Sequence, residues 1–185
     1  MNKTVTSKEV ILAVAKEVVL SSGLQNLNIR DVADKCSVSV GSIYNYFPTK
    51  EDLILSTIES IWREILVLDA SENPSQSFTD KVESLFHRIR DGLGQSPSFF
   101  LSHSMNAASL DKEKGRESMN RYLGIIRKDL LHALNEDHRV ETQRFTETFS
   151  KETFVDFVFS NIITLLLNQS SSCQVLLEVI QRVIY

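Results

Sequence analysis

Glycine, proline and cysteine are scarce in this chain. Six glycines and three prolines occur in 185 residues, so glycine makes up about 3% of the chain against a usual ~7%. Sandwiches, barrels and nucleotide-binding α/β sheets depend on glycine-rich turns, and the scarcity disfavours them. With 42% hydrophobic and 24% charged residues, the composition predicts a globular all-α protein.

Several signatures of function are also missing. Cys36 and Cys173 lie far apart, without a CxxC pair or a histidine cluster, so neither a disulfide framework nor a metal site is predicted. The motifs GxSxG, GxGxxG and HExxH and the P-loop are absent, so we predict no catalytic residue, no cofactor and no enzyme activity. The start is polar and unlike a signal peptide, and the longest apolar region, 154–167, is shorter than a membrane span. We therefore expect a cytoplasmic protein without membrane contact.

The charge of the chain is unevenly distributed. The formal net charge is -4, which by itself is unpromising for a nucleic-acid binder. Residues 1–50 nevertheless hold six basic and four acidic side chains, whereas residues 51–185 hold 14 basic and 20 acidic ones. The N-terminal quarter is therefore mildly basic and the remainder acidic.

Capping residues and apolar spacing predict about nine helices. A capping box at Thr6 and Glu9 opens a first helix over 7–22, which Gly23 ends. Asn28, Ser39 and Thr49 open helices over 29–36, 39–47 and 49–68. Further helices are predicted over 78–93, 97–110, 117–135, 149–168 and 172–185.

The last two predicted helices are apolar around much of their circumference. Such a helix must be buried on more than one side. We expect one face to pack on the chain's own core and another on a second copy, while the alternative of a long strand for 149–168 exceeds usual strand lengths. Which face meets the partner stays open. The predicted dimer-interface residues are Val155, Phe159, Ile162, Leu166, Leu176, Ile180 and Ile184.

Residues 28–53 carry the functional signal. Two short helices meet at a tight turn around Ser37-Val38, and apolar residues on both are spaced to pack together, which predicts a helix-turn-helix whose second helix enters the major groove of DNA. Hydroxyl and amide groups on the second helix can bond base edges or phosphates, and basic side chains nearby can reach phosphates. The predicted DNA-binding residues are Arg30, Ser39, Val40, Gly41, Ser42, Tyr44, Asn45, Tyr46 and Lys50.

This segment resembles the DNA-binding domain of the tetracycline-repressor (TetR) family. The matching elements run through the helix-turn-helix and into the next helix, and the resemblance covers about residues 7–55. They are Val32-Ala33, Val38-Ser39, Gly41-Ser42, Ile43-Tyr44, Tyr46-Phe47 and Lys50-Glu51-Asp52-Leu53. Two departures stand out: Ser37 replaces a frequent turn glycine, and Val40 replaces a frequent lysine.

The resemblance implies an N-terminal helix-turn-helix DNA-binding domain, 1–48, and a larger helical domain for ligand binding and dimerisation, 49–185. It implies a homodimer through the last two helices, a palindromic double-stranded DNA operator, and an unknown small-molecule effector in a cavity between the fourth and seventh helices. Aromatic, methionine and polar residues there are candidates, although they would equally fill an ordinary core. They are Trp62, Phe86, His87, Phe99, His103, Asn106, Met119 and Tyr122.

Two functions remain open at this point. The first is a repressor that a small molecule releases from its operator. The alternative is the same DNA-binding fold controlled by a protein partner. A large closed pocket would favour the first function, and a filled core with an exposed apolar patch would favour the second.

Overall fold

Helices make up every regular element in the part of the chain that the structure describes. The computed structural model describes residues 6–67, 76–93 and 114–185. The α-helices in these ranges are α1 (Lys8–Ser22), α2 (Ile29–Lys35), α3 (Val40–Tyr46), α4 (Lys50–Val67), α5 (Phe78–Gly92), α6 (Lys114–Glu136), α7 (Lys151–Leu167) and α8 (Gln174–Ile184). Two short 3₁₀ helices, Leu24–Asn26 and Thr142–Arg144, join them. The all-α prediction is confirmed, and the helix predicted over 97–110 lies outside the described residues.

The described residues group into two compact units. Residues 6–64, with Leu93 and residues 114–119, form the N-terminal unit, and residues 65–67, 76–92 and 120–185 form the C-terminal unit. The division falls within α4. The domain boundary predicted after residue 48 remains a prediction, since compactness alone does not delimit a domain that folds independently.

Side-chain caps start the helices of the N-terminal unit close to their predicted positions. Ser7 caps α1, Asn28 caps α2 and Ser39 caps α3, each by accepting a hydrogen bond from an N–H of the first turn. The α1 cap lies one residue later than predicted, at Ser7 instead of Thr6. Gly23 follows α1 with φ 93°, a conformation that residues with a Cβ rarely adopt. These caps explain why the helix limits were readable from the sequence.

The apolar residues that were expected to join α2 to α3 are all buried. Ile29, Val32 and Ala33 of α2 lie in the core of the N-terminal unit together with Ile43 of α3 and Phe47, which follows α3. Burial of these side chains removes apolar surface from water and so holds α3 in place. One face of α3 is thereby fixed and its other face left open.

The turn between α2 and α3 is a Schellman motif with serine where glycine is usual. Ser37 has φ 56°, and its N–H donates to the Asp34 carbonyl at 3.0 Å. The Val38 N–H donates to the Ala33 carbonyl at 3.0 Å, and this pair of bonds defines the motif. A residue with a Cβ in the left-handed region carries a strain of roughly 1–2 kcal/mol.

Ser37→Gly is expected to raise the free energy of unfolding by about 0.5–1 kcal/mol. Glycine relieves the left-handed strain, and its greater freedom in the unfolded chain offsets part of the gain. Urea unfolding followed by circular dichroism measures the change. Ser37→Ala keeps the strain and is the matched control. A Ser37→Gly variant no more stable than Ser37→Ala would contradict the strain assigned to this turn.

Helices α5, α7 and α8 form the core of the C-terminal unit. Their buried side chains include Phe78, Val82 and Leu85 from α5 and Phe154 and Ile180 from the last two helices. Gly92 marks a close approach of the ends of α4 and α5, because a Cβ there would lie 2.7 Å from Ile65 Cγ1. The packing therefore tolerates no side chain at this position without movement.

The helix limits of the C-terminal unit differ slightly from prediction. Helix α6 begins at Lys114, three residues before its predicted start at residue 117, and the segment between α6 and α7 contains the short 3₁₀ helix Thr142–Arg144. A second left-handed residue, Gln169, lies two residues after the end of α7 and has φ 56°. In the ranges that the structure describes, no helix combines the length and the apolarity that crossing a bilayer requires.

A buried carboxylate joins three parts of the C-terminal unit. The Asp137 side chain is 1% exposed and accepts a hydrogen bond from the Phe78 N–H at 2.8 Å. The Tyr185 hydroxyl donates to the same carboxylate oxygen. Arg139 donates to the other oxygen through its backbone N–H at 3.1 Å and its Nε at 2.8 Å. Asp137 therefore ties the start of α5 to the residue that follows α8.

These contacts shift the pKa values of Asp137 and Tyr185. Burial raises the pKa of Asp137, but the hydrogen bonds from Arg139, Tyr185 and Phe78 outweigh it and bring the pKa down to about 2. Burial, followed by the hydrogen bond to Asp137, raises the pKa of Tyr185 to about 12. Across the neutral range the pair is accordingly a charged carboxylate and a neutral phenol.

Candidate nucleic-acid interface

The outer face of α3 is open to solvent and carries most of the side chains that were predicted to contact DNA. Ile43 is fully buried on the opposite face, so the short helix presents one side only. The tyrosine Tyr44 is 46% exposed, with its ring and hydroxyl available to a ligand. The exposed residues of the helix are Val40, Gly41, Tyr44, Asn45 and Tyr46.

Two serines hold the first turn of α3. The Ser39 Oγ accepts a hydrogen bond from the Ser42 N–H at 3.1 Å, and the two hydroxyl oxygens lie 2.9 Å apart. Each hydroxyl retains a further donor or acceptor position after this contact. The serines can therefore cap the helix and still bond a base edge or a phosphate.

Tyr46 differs from Tyr44 in the use of its hydroxyl. The Tyr46 hydroxyl, which was predicted to reach a phosphate, donates to the Thr6 carbonyl at 2.7 Å. Its proton already has an acceptor inside the protein, and the predicted contact of Tyr46 with DNA stays a prediction. The ring is 41% exposed and remains available for packing.

Arg30 and Lys50 provide positive charge beside α3. Both side chains are exposed, Arg30 in the first turn of α2 and Lys50 at the first residue of α4. The turn before α4 is held by Thr49, whose Oγ1 accepts from the Asp52 N–H at 3.0 Å, as predicted from the capping box. Within the described ranges neither cation forms an ion pair, so both charges are available to an anion.

Lys8 is a cation near α3 that the sequence analysis missed. Its ammonium lies 5.5 Å from the centroid of the Phe47 ring, and Phe47 directly follows α3. Lysine in the first turn of a helix is an ordinary solvated residue in sequence terms. Only the tertiary contact between residues so far apart in the chain identifies it.

Comparison with known proteins finds a family match in the N-terminal part of the chain. Residues 11–57 match the profile described as bacterial regulatory proteins, tetR family. Over these residues the chain is similar to that family. This match ends within α4 and includes the whole helix-turn-helix, so the resemblance read from residues 7–55 is confirmed.

Curated relatives of the chain are transcriptional regulators by name. The chain is 26% identical over 90 residues to the HTH-type transcriptional regulator TcmR of Streptomyces glaucescens. The aligned residues are 46% of this chain and 40% of that protein. The chain is 33% identical over 57 residues to the HTH-type transcriptional regulator LuxR of Vibrio harveyi, which covers 31% of this chain and 28% of that protein. The matched region thus spans less than half of either relative. Their names agree with the prediction that this chain is not an enzyme.

Solved structures share the fold over nearly the whole chain. A TetR transcriptional regulator from Legionella pneumophila superposes with a TM-score of 0.66 and 21% identity over 100% of both chains. BioQ, solved with its natural double-stranded DNA operator, gives a TM-score of 0.62 at 14% identity over 96% of this chain and 97% of that one. EbrR, a multidrug binding protein complexed with imidazole, gives a TM-score of 0.61 at 18% identity over 96% of this chain and 94% of that one. These likenesses show that the chain shares the fold of these proteins.

The predicted effector pocket lies only partly within the described residues. Trp62 is buried in the N-terminal unit, and Phe86 and Tyr122 are buried in the C-terminal unit. His87 is half-exposed, with its ring centroid 5.4 Å from that of Phe86. Phe99, His103 and Asn106, as well as the Met119 side chain, lie outside the described residues. The pocket therefore remains a prediction.

A groove of about 380 Å³ lies elsewhere, between α1 and α4 of the N-terminal unit. Its apolar wall includes Leu12 and Ala13, and its rim is charged. Lys16 Nζ lies 2.6 Å from Glu64 Oε1 across this rim. Charges of both signs compensate one another here, and the groove contains none of the predicted effector-pocket residues.

The residues predicted to meet a partner chain need correction. All are buried within a single chain and have almost no surface left to cover, because they form the core of their own protomer. These residues are Val155, Phe159, Ile162, Leu166, Leu176, Ile180 and Ile184. The last two helices expose other apolar residues, namely Phe157 at 49%, Val175 at 79% and Val179 at 39%.

Proposed function

We propose that this chain is a sequence-specific DNA-binding transcriptional regulator, acting as a repressor on a palindromic operator. The observation that carries the proposal is the open face of α3, which a buried opposite face and a Schellman turn hold rigidly. A helix of this kind, with hydroxyl and amide groups outward and cations beside it, suits major-groove readout. The operator-bound structure of BioQ, which shares the fold, supports the same role.

Dimerisation through the last two helices is part of the proposal. Val175 and Val179 are four residues apart, so they lie on one face of α8, and both are exposed. Phe157 is exposed on α7. Apolar surface of this kind on neighbouring helices is suited to burial against a second copy. A two-fold dimer would present two α3 helices to half-sites about one helical turn apart.

Release by a small molecule completes the proposal. EbrR shares the fold and is described as a multidrug binding protein, which supports an effector that is a small molecule. A screen of small apolar and aromatic compounds for displacement of the protein from its selected DNA tests this step. If a purified protein from the same cell displaces the chain from DNA and no compound does, control by a protein partner replaces it.

Selection of duplexes from a random pool by the purified protein tests the DNA-binding proposal, and two variants separate its components. Asn45→Ala is expected to weaken binding to the selected duplex by about 1–3 kcal/mol and to relax the preference at one base pair, because a base-edge contact is lost. Lys50→Ala is expected to weaken binding to all duplexes similarly and to lower the salt slope by about one per head. Fluorescence anisotropy titrations between low and high salt measure both. Equal behaviour of both variants and the parent would reject the assigned surface.

A further inference from the structure

The end of α3 and the start of α1 are joined by a specific hydrogen bond. Tyr46 is the last residue of α3, and its hydroxyl donates to the carbonyl of Thr6, two residues before α1. Thr6 is buried, and the two residues lie 40 positions apart in the chain. This bond fixes the position of the first turn of α1 relative to α3, which neither helix could do alone.

Lys8, in that first turn, retains its charge in solvent. Its ammonium lies over the Phe47 ring, 5.5 Å from the centroid, and the residue is exposed. Among the described residues Lys8 forms no ion pair, and its only carboxylate interaction that lowers a pKa is the weak electrostatic one with its neighbour Glu9. Lys16, two turns further along α1, contrasts with it because Glu64 neutralises its charge at 2.6 Å.

A second lysine follows Phe47 closely in the chain. Lys50 lies three residues after Phe47, so its Cα lies within roughly 11 Å of that of Phe47, and its side chain is exposed. Two cations from different helices therefore lie near the end of α3. A helix in the major groove is bordered by the phosphates of both strands, and contacts to those phosphates set its register.

We propose that Lys8 is a phosphate contact that works with Lys50, and that Tyr46 is a positioning residue that holds Lys8 in place through Thr6. The inference rests on the proposed DNA-binding function and extends the DNA-contacting surface to α1. Tyr46 acts through α1 and makes no bond of its own to DNA from its hydroxyl. The register of α3 in the groove is then set from both α1 and α4.

The test measures the salt dependence of binding to one duplex selected from a random pool by the parent protein. Lys8→Gln is expected to lower the slope of log K against log salt by about 0.9 for each bound head. A slope change of this size makes the affinity loss of the variant relative to the parent about tenfold larger per head at ~0.1 M salt than at ~1 M salt. Lys16→Gln removes the same charge from the same helix and is expected to leave the slope at the parent value. Lys8→Arg keeps the charge and should restore the slope.

A double-mutant cycle tests the role of Tyr46. Tyr46→Phe removes only the hydroxyl, and it should lower the slope in the parent but have no further effect in the Lys8→Gln background. Thermal melting confirms that each variant is folded.

Three results would contradict these expectations in different ways. A Lys8→Gln slope equal to that of Lys16→Gln overturns the role of Lys8. A Tyr46→Phe loss that adds fully to that of Lys8→Gln shows direct DNA contact by Tyr46 and overturns its positioning role. A parent that selects no duplex at any salt concentration overturns the proposed function itself, and this inference with it.

Discussion

Asp137→Ala is expected to lower the free energy of unfolding by about 3 kcal/mol at neutral pH. The carboxylate accepts hydrogen bonds from the Phe78 N–H, the Tyr185 hydroxyl and Arg139. Its removal leaves a buried N–H and a part-buried hydroxyl without this acceptor, and each such group costs about 1–3 kcal/mol. Urea unfolding of parent and variant at pH 7 measures the difference.

The difference in the free energy of unfolding between the parent and Asp137→Ala should depend on pH. The pKa of Asp137 is lowered from 3.8 to about 2 in the folded chain, so its contribution is complete above about pH 5 and is lost as the pH falls through 2. The lowering corresponds to ~2.5 kcal/mol at about 1.4 kcal/mol per pKa unit. The stability difference between parent and Asp137→Ala should therefore shrink between pH 5 and pH 2.

Tyr185→Phe is the matched control for this network. It removes one hydrogen bond to the carboxylate and keeps the ring, so it should cost less than Asp137→Ala, about 1.5 kcal/mol. The pKa of Tyr185 is raised to about 12, so its contribution is present below pH 10 and is lost as the pH rises through 12. If Asp137→Ala cost no more than Tyr185→Phe and showed no acid dependence, the network would not be the anchor described above.

Adjacent residues of α8 are expected to respond in opposite ways to a new charge. Val179→Glu places a carboxylate on the exposed apolar face and should give folded monomers, because the proposed partner surface would then have to bury an unpaired charge. Ile180→Glu places the same carboxylate at a position that is 0% exposed in one chain. It should unfold the protein or cost several kcal/mol, since a buried carboxylate without a partner is strongly unfavourable.

Sedimentation velocity at micromolar concentration, together with circular dichroism, separates the two effects. Val179 and Ile180 are adjacent, and their side chains differ by only one methylene. The two variants therefore differ mainly in the direction in which the new carboxylate points from the helix. A Val179→Glu protein that stays dimeric would remove this face of α8 from the proposed interface. A folded, dimeric Ile180→Glu protein would contradict the burial of Ile180 inside the protomer.

The N-terminal unit was the most predictable part of the chain. Asn28, Ser39 and Thr49 cap helices because their side chains accept bonds from N–H groups a few residues away, and such local contacts are visible in sequence. The family resemblance rested on the same stretch, where spacing between short helices is fixed by a tight turn. Even the departure at Ser37 was readable, and its φ of 56° shows the conformation that glycine would have adopted more easily.

The last two helices show where pattern reading failed. Apolar residues around most of a helix predicted two buried faces, but not which residues belonged to each. Ile180 and Val179 are adjacent and similarly apolar, yet one is fully buried and the other is 39% exposed. The choice depends on the rotation of α8 against α5 and α7, which long-range packing decides.

Local chemistry in the sequence determined the all-α fold class, most helix ends and which residues of α3 are exposed. These follow from backbone caps, apolar spacing and scarce glycine, all of which act over a few residues. Only the tertiary structure revealed the Asp137 network, the Tyr46–Thr6 bond, the position of Lys8 over Phe47 and the exposed face of α8. Each of these depends on groups brought together from distant parts of the chain or on how one helix is rotated against its neighbours, and the spacing of residues in a sequence carries no record of either.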